Sequence, residues 1–223
     1  MTTYDVYIEA GAKRAFACAV DWLGWCRHGP TERDALEALI EYGGKYRANL
    51  AGTRLGFDAP RDVGQLVIVE RLAGTATTDF GAIGVIPAAD QDRSCDAAQL
   101  KRFETFLQAG WRAFDAAVDA ARGKKLSTGP RGGGRSLDAI VKHVIEADAS
   151  YLRAVGWKPS KADAVDEIAA LRQEILRALK ASANGEIPPT GPRGGSRWPA
   201  RFFARRVAWH VYSHAWEIER RAA

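Results

Sequence analysis

Two parts of the chain differ in how their hydrophobic residues are spaced. In the first part, residues 4–9 and 14–20 are short runs rich in β-branched, aromatic and other apolar residues on either side of Gly11, which predicts a β-hairpin. A third strand is predicted over residues 66–72, which read LVIVERL. These runs are too short for helices of ordinary length, so this part of the chain is predicted to form a small sheet.

One helix is predicted between the hairpin and the third strand. Thr31 is a suitable N-cap, and Asp34 stands three residues later, as in a capping box. The helix is predicted to end near Gly43. The elements together predict a β-β-α-β domain over residues 1–72. The apolar residues that follow the cap at helical spacing are Ala35, Leu36, Leu39 and Ile40.

The second part of the chain has a helical period from Asp96 onward. Residues 73–95 show no sustained period and are predicted to be a linker. Four amphipathic helices of about 20 residues predict a four-helix bundle over residues 96–223, so the whole chain is predicted to be α+β. The first helix carries the stripe Leu100, Phe103, Leu107, Trp111, Phe114 and Val118, and the others are predicted over about 136–155, 162–182 and 198–221, with Ser136 as an N-cap and Pro199 in a first turn.

Composition narrows the class of protein. The chain has 223 residues, 47% hydrophobic and 26% charged, which is typical of a folded domain and not of a disordered or collagen-like chain. Its net charge of +5 is not clustered, so nucleic-acid binding is not indicated. Three cysteines without a CxxC pair do not predict a disulfide framework. With neither a signal peptide nor a membrane span recognisable, a cytoplasmic protein is expected.

A short sequence occurs twice, each time before a predicted helix. Residues 128–135 read TGPRGGGR and residues 190–197 read TGPRGGSR. They are interpreted either as glycine-rich turns or as an anion cradle, in which backbone N–H groups and arginines would receive a negatively charged substrate. Neither matches the phosphate loop of nucleotide hydrolases. The arginines concerned are Arg131, Arg135, Arg193 and Arg197.

Three of the four histidines occupy positions that suit a metal site. His210 and His214 are four residues apart on the last helix and therefore lie on one face, and His143 lies on an apolar face of the second helix. Three imidazoles with an open position describe a catalytic zinc or nickel site. The alternative is that each is a hydrogen-bonded core histidine. If His143 meets His210 and His214, the second and fourth predicted helices are expected to pair antiparallel. That pairing would place the two glycine-rich segments at opposite ends of the helix pair.

Further polar residues near these histidines are candidates for catalysis or binding. Glu146 and Glu217 each follow a histidine by three residues and are interpreted as a general base or as hydrogen-bond partners of imidazole, or alternatively as solvated helix charges. Tyr151 and Tyr212 are candidate substrate-binding groups. The reversed order of the Glu and His residues does not fit a di-iron bundle.

The second part of the chain resembles the DinB-like (YfiT-like) helical-bundle superfamily. The resemblance lies in GPRGGGRSLDAIVKHVIEADASYLRAVG and the later RRVAWHVYSHAWEIERR, and it covers residues 96–223. It implies His143, His210 and His214 as metal ligands. It also implies a dimer. Members of the superfamily include transferases and isomerases that depend on low-molecular-weight thiols such as mycothiol or bacillithiol, so the resemblance implies an activity of this kind.

Residues 4–72 resemble the N-terminal domain of HicB-type antitoxins. The resemblance lies in the strand pair and in the motif TxxDALxAL that begins at Thr31. The DNA-binding module of those antitoxins is absent, so a transcription regulator is not implied.

Two functional hypotheses follow for the whole chain. The first is a divalent-metal enzyme acting on a small-molecule substrate, as a thiol-dependent transferase or isomerase or as a hydrolase. The second is a non-catalytic module for protein binding or dimerisation, whose metal is structural or absent.

Overall fold

The chain folds into two units, Met1–Asp92 and Arg93–Ala223, in a computed structural model that describes residues 2–128, 134–159 and 167–222. The first unit contains a four-stranded sheet with helices, and the second unit is helical. The predicted α+β class is therefore confirmed.

The sheet of the first unit has the order β3-β2-β1-β4. Its strands are β1 (Tyr4–Ala10), β2 (Ala15–Ala19), β3 (Cys26–Gly29) and β4 (Leu66–Ala73). β1 and β2 form the predicted antiparallel hairpin, and β4 pairs with β1 in parallel. β3 was not predicted, because four residues are too few to show an alternating pattern.

The predicted helix of this unit is α1 (Glu32–Glu41), and its capping box is confirmed. The hydroxyl of Thr31 accepts a hydrogen bond from the Asp34 backbone N–H, and the Asp34 carboxylate accepts one from the Thr31 N–H. A second short helix, α2 (Gly43–Asn49), follows directly where the sequence predicted an end. The buried side chains of α1 lie against β2 and β3.

The segment 73–95 contains more local structure than its lack of a period indicated. It includes the short helix α3 (Ala76–Phe80). The fully buried carboxylate of Glu9, on β1, accepts a hydrogen bond of 2.6 Å from the Thr78 hydroxyl and others from two backbone N–H groups of the following loop, one of them that of Gly84. Hydrogen bonds to this buried side chain hold α3 and the loop after it against β1, and such bonds leave no hydrophobic period in the sequence.

Two of the three cysteines are paired, a contact that the number and spacing of the cysteines did not predict. Cys18 of β2 and Cys26 of β3 face each other in the register of the antiparallel pair, with Cα atoms 4.0 Å apart, and they are joined in a disulfide. The pairing depends on β3, which the sequence did not predict. Cys95 is a free thiol.

The second unit contains the four predicted helices. They are α4 (Ala97–Ala121), α5 (Leu137–Val155), α6 (Glu167–Ala183) and α7 (Ala200–Ala222). Ser136 caps α5 as predicted, and the predicted beginning of α6 at residue 162 lies outside the described residues. α7 packs against α4, α5 and α6 and is buried along most of its length. In the part of the chain that is described, every helix is too short or too polar to cross a membrane.

Candidate metal centre

Three histidines converge between α5 and α7. His210 and His214 project from one face of α7, because residues four apart lie one above the other on a helix. The Nε2 atom of His210 lies 3.2 Å from Nε2 of His143 and 3.2 Å from Nε2 of His214. The potential ligand atoms of all three residues lie within 4.8 Å of one another.

These distances fit a shared metal ion. Zinc binds imidazole nitrogen at about 2.0–2.1 Å, so two nitrogens on a tetrahedral zinc are about 3.3 Å apart. The observed separations of 3.2 Å agree with this geometry. Three protein nitrogens are fewer than the four ligands of a structural zinc site, and such a set is typical of catalytic centres with an open position.

The three nitrogens cannot satisfy one another by hydrogen bonds alone. Nε2 of His210 touches both neighbours but carries at most one proton. An imidazole Nε2 has either one proton or one lone pair in the ring plane, so Nε2 of His210 can make one well-directed hydrogen bond and not two. A cation between the rings would satisfy every lone pair, so the donor set fits a divalent metal.

The protonation states of the rings also suit metal binding. Desolvation by burial holds the pKa of His210 well below its usual value, and the neighbouring His214 and His143 act in the same direction. The pKa of His143 is lowered first by desolvation and then by the charge of Arg135. Both rings are therefore neutral near pH 7, and only neutral imidazole has a lone pair to bind a metal.

Glu217 orients His214. One carboxylate oxygen of Glu217 lies 2.8 Å from Nδ1 of His214, and the other accepts a hydrogen bond of 2.7 Å from Arg221. The bond from His214, with that from Arg221, lowers the pKa of Glu217 to about 2. An ionised carboxylate at Nδ1 keeps the proton on that nitrogen and leaves Nε2 free as a ligand. The predicted role of Glu217 as a hydrogen-bond partner of imidazole agrees with this arrangement.

Glu146 does not contact the three histidines in the described part of the chain. Its side chain is 64% exposed, 3.9 Å from Lys142, and lines a groove of about 810 Å³ between α4, α5 and α6. Within the described residues it makes no hydrogen bond to a histidine. The structure therefore does not place it as a general base, and the alternative reading, a solvated helix charge, fits its position. Glu217 has the same three-residue spacing from His214 and does contact it, so the spacing alone does not decide whether the carboxylate meets the ring.

The two candidate tyrosines lie in different parts of the second unit. The Tyr151 ring centroid lies 5.6 Å from that of His210, and its hydroxyl accepts a hydrogen bond of 3.3 Å from Arg206. Tyr212 lies instead on the side of α7 that faces α4, beside Trp216 and against Gly110. Tyr151 thus borders the histidine cluster, whereas Tyr212 lies on another side of α7, and the role of both tyrosines in substrate binding stays a prediction.

α5 and α7 run antiparallel, as the metal hypothesis required. The start of α5 lies at the end of α7, where Arg221 donates to the Arg135 carbonyl at 2.8 Å. The later part of α5 lies near the start of α7, where Arg206 contacts Tyr151. The three histidines meet between these two contacts.

The described arginines of the two glycine-rich segments, which are Arg135, Arg193 and Arg197, consequently do not form one anion cradle. Arg135 is exposed at the histidine end of α5, near enough for its charge to act on His143. Arg197 packs against Gly156 at the opposite end of α5, and Arg193 is exposed on the turn before α7. Arg131 lies outside the described residues. The glycine-rich segments thus lead into helices at opposite ends of the α5–α7 pair.

Two arginines that sequence reasoning missed lie beside the histidines. Arg206 is one helical turn before His210, with its guanidinium 4.9 Å from the ring centroids of both Tyr151 and Trp209. Arg221 is one turn after Glu217 and bonded to it. The signal that could have found them is the same spacing of four residues that identified the histidine pair.

The comparison with protein families agrees with this geometry. The model of the DinB superfamily matches residues 107–218, which include all three histidines. The chain belongs to the DinB superfamily. The match begins within α4 and ends within α7, so it includes the parts of α5 and α7 that carry the three histidines. The comparisons with curated proteins and with solved structures gave no match.

Proposed function

We propose that this DinB protein is a divalent-metal-dependent enzyme, with His143, His210 and His214 as the metal ligands. The observation that carries the proposal is the convergence of three imidazole nitrogens, with separations of 3.2 Å at His210. Imidazole nitrogens suit both zinc and nickel. A divalent ion held there would lower the pKa of a bound water or thiol and so supply a nucleophile near pH 7.

The remaining groups of the site suit an anionic small-molecule substrate. Arg206 is buried, and its positive charge acts on His210. The Tyr151 hydroxyl, to which Arg206 donates, lies on the same side of the histidines. A guanidinium binds carboxylate and phosphate groups well, and a neighbouring hydroxyl adds a further hydrogen bond. Because the superfamily that residues 96–223 resemble includes thiol-dependent transferases, we propose thiol transfer with a low-molecular-weight thiol as the reaction and hydrolysis as the competing outcome.

Metal content tests the first step of the proposal. The wild-type protein, purified from metal-supplemented cells, is expected to contain about one zinc or nickel ion per chain by elemental analysis. His210→Ala is expected to lose most of it, because two nitrogens bind a divalent ion much more weakly than three. His28→Ala is the matched control, since His28 is exposed on β3. Equal metal in all three proteins would contradict the proposed site.

A direct assay tests the reaction. The metal-loaded protein is incubated with mycothiol or bacillithiol and an electrophilic acceptor, and separately with an ester in the absence of thiol. Thiol transfer predicts consumption of the thiol that stops on chelation of the metal and in His210→Ala. Ester cleavage without thiol would instead identify a hydrolase. Metal binding with neither activity would favour the non-catalytic hypothesis.

A further inference from the structure

We propose that Arg221 is a positioning residue for the metal centre, acting on the ligand His214 through the carboxylate of Glu217. This inference rests on the proposed metal site. Its geometry is a continuous chain of hydrogen bonds from the guanidinium to the imidazole. Arg221 donates to one oxygen of Glu217 at 2.7 Å, and the other oxygen lies 2.8 Å from Nδ1 of His214.

The guanidinium is itself held from two further directions. Its Nε donates to the Ser127 carbonyl at 2.9 Å, and its Nη2 donates to the Arg135 carbonyl at 2.8 Å. The Ser127 N–H in turn donates to the Arg221 carbonyl at 2.7 Å. The Arg221 side chain is only 9% exposed. A planar group fixed at three corners and shielded from water has little freedom to move.

The backbone approaches this guanidinium closely at Gly134. A Cβ atom added there would lie 2.6 Å from Nη2 of Arg221, and the residue has a φ of +140°. Both the close approach and the dihedral angle require glycine. The backbone before α5 is therefore shaped around Arg221, which separates this arginine from a surface ion pair.

Fixing both oxygens of Glu217 also fixes the plane of its carboxylate. The oxygen that faces His214 is then aimed at Nδ1, and the ring presents Nε2 to His210 at 3.2 Å. Hydrogen-bond partners of this kind, one step removed from a metal, change metal affinity by about 10–100-fold when they are removed. The same change is expected when Arg221 is removed, although Arg221 touches no histidine in the described contacts.

The neighbouring arginine provides a matched control. Arg220 is exposed and stands next to Arg221 on the same helical turn, about 100° further round the helix. Arg221→Gln and Arg220→Gln remove the same charge from adjacent positions of α7, and only the first removes the bond to Glu217. A difference between the two variants therefore reports the position of the arginine rather than net charge.

The first measurement needs no metal. Ring nitrogen NMR of the metal-free protein is expected to show His214 with its proton on Nδ1 in the wild type and in Arg220→Gln. In Arg221→Gln, and in Glu217→Gln, a mixture with the Nε2-protonated tautomer is expected. Arg221→Lys keeps the charge and is expected to restore the wild-type tautomer in part, so it also serves if the glutamine variant does not fold.

The second measurement is zinc affinity, by competition with a chromophoric chelator, together with the absorption spectrum of the cobalt-substituted protein. Arg221→Gln is expected to weaken zinc binding about 10–100-fold and to alter the cobalt spectrum, and Arg220→Gln to do neither. An unchanged His214 tautomer in folded Arg221→Gln would overturn the inference. If the tautomer changes but the wild type binds neither zinc nor nickel, the proposed metalloenzyme fails while the positioning of His214 by Arg221 stands.

Discussion

Asp148 of α5 has an unusual environment for a carboxyl group. Asp148 is only 4% exposed, and its Oδ1 atom has no hydrogen-bond partner among the residues described. Desolvation raises its pKa to about 7, and the charge of Arg172 opposes this only in part. Arg172 is itself bonded to both oxygens of Asp115, at 2.8 and 2.6 Å. Asp148 therefore keeps its proton in the folded protein at pH values where an unfolded chain would lose it.

The raised pKa of Asp148 predicts that the free energy of unfolding depends on pH. Between pH 3.8 and about 7 the folded state holds a proton that the unfolded state releases, so the free energy of unfolding falls as the pH rises. Asp148→Asn removes this dependence. The variant is expected to gain stability relative to wild type across this window, by at most about 1.4 kcal/mol per pH unit. Urea denaturation of both proteins at pH 5 and pH 8 measures the difference.

The control for this experiment is Asp119→Asn. Asp119 is exposed on α4 beside Arg122, so its replacement is expected to change stability little, and similarly at both pH values. If Asp148→Asn and wild type kept a constant difference between pH 5 and pH 8, the buried carboxyl would not be protonated as described.

At the scale of the elements, the second unit depends on a close crossing of α4 and α7. A Cβ atom at Gly110 would lie 2.8 Å from Cγ1 of Val211 and 3.3 Å from the Tyr212 ring. All three residues are buried, and Val211 and Tyr212 are completely so. The absence of a side chain at Gly110 lets the two helices approach, and α7 in turn carries two of the three histidines.

Gly110→Val therefore tests the α4–α7 contact. Added methyl groups in a close-packed core cost about 1–3 kcal/mol, which outweighs the gain in helix propensity on replacing glycine. Ala116→Val, at an exposed position of the same helix, is expected to cost less than about 1 kcal/mol. Urea unfolding at one pH compares the two variants. Equal losses would show that α4 and α7 do not pack closely at Gly110.

At the scale of the whole molecule, the proposed metal site lies entirely within the second unit. Its ligands come from two helices that are far apart in sequence, so a metal ion would link α5 to α7. A ligand that binds only the folded state stabilises that state by an amount that grows with the logarithm of the ligand concentration divided by Kd. The one histidine of the first unit, His28, is exposed on β3.

Hydrogen exchange with and without zinc tests this prediction. Zinc is expected to slow amide exchange in α5 and α7, because opening either helix would break metal–ligand bonds. No slowing is expected in β1–β4. Similar slowing in the sheet, or none in α7, would contradict a site built from α5 and α7. His210→Ala is expected to remove the effect of zinc.

The sequence by itself determined the features that depend on neighbouring residues. The period of apolar side chains determined the helices of the second unit, and the Thr31 and Ser136 caps determined where two helices begin. The four-residue spacing of His210 and His214 placed both on one face of α7, since helix geometry is local. The HicB-like character of residues 4–72 rests on such local motifs alone and stays a prediction.

Only the tertiary structure decided which distant residues meet. It brought His143 of α5 to the pair on α7, placed Glu217 at the histidines and Glu146 in a groove, and introduced Arg221 as a partner of Glu217. The direction of a side chain relative to another helix depends on how the helices cross. That crossing is set by the packing of the whole unit, so no short stretch of sequence contains it.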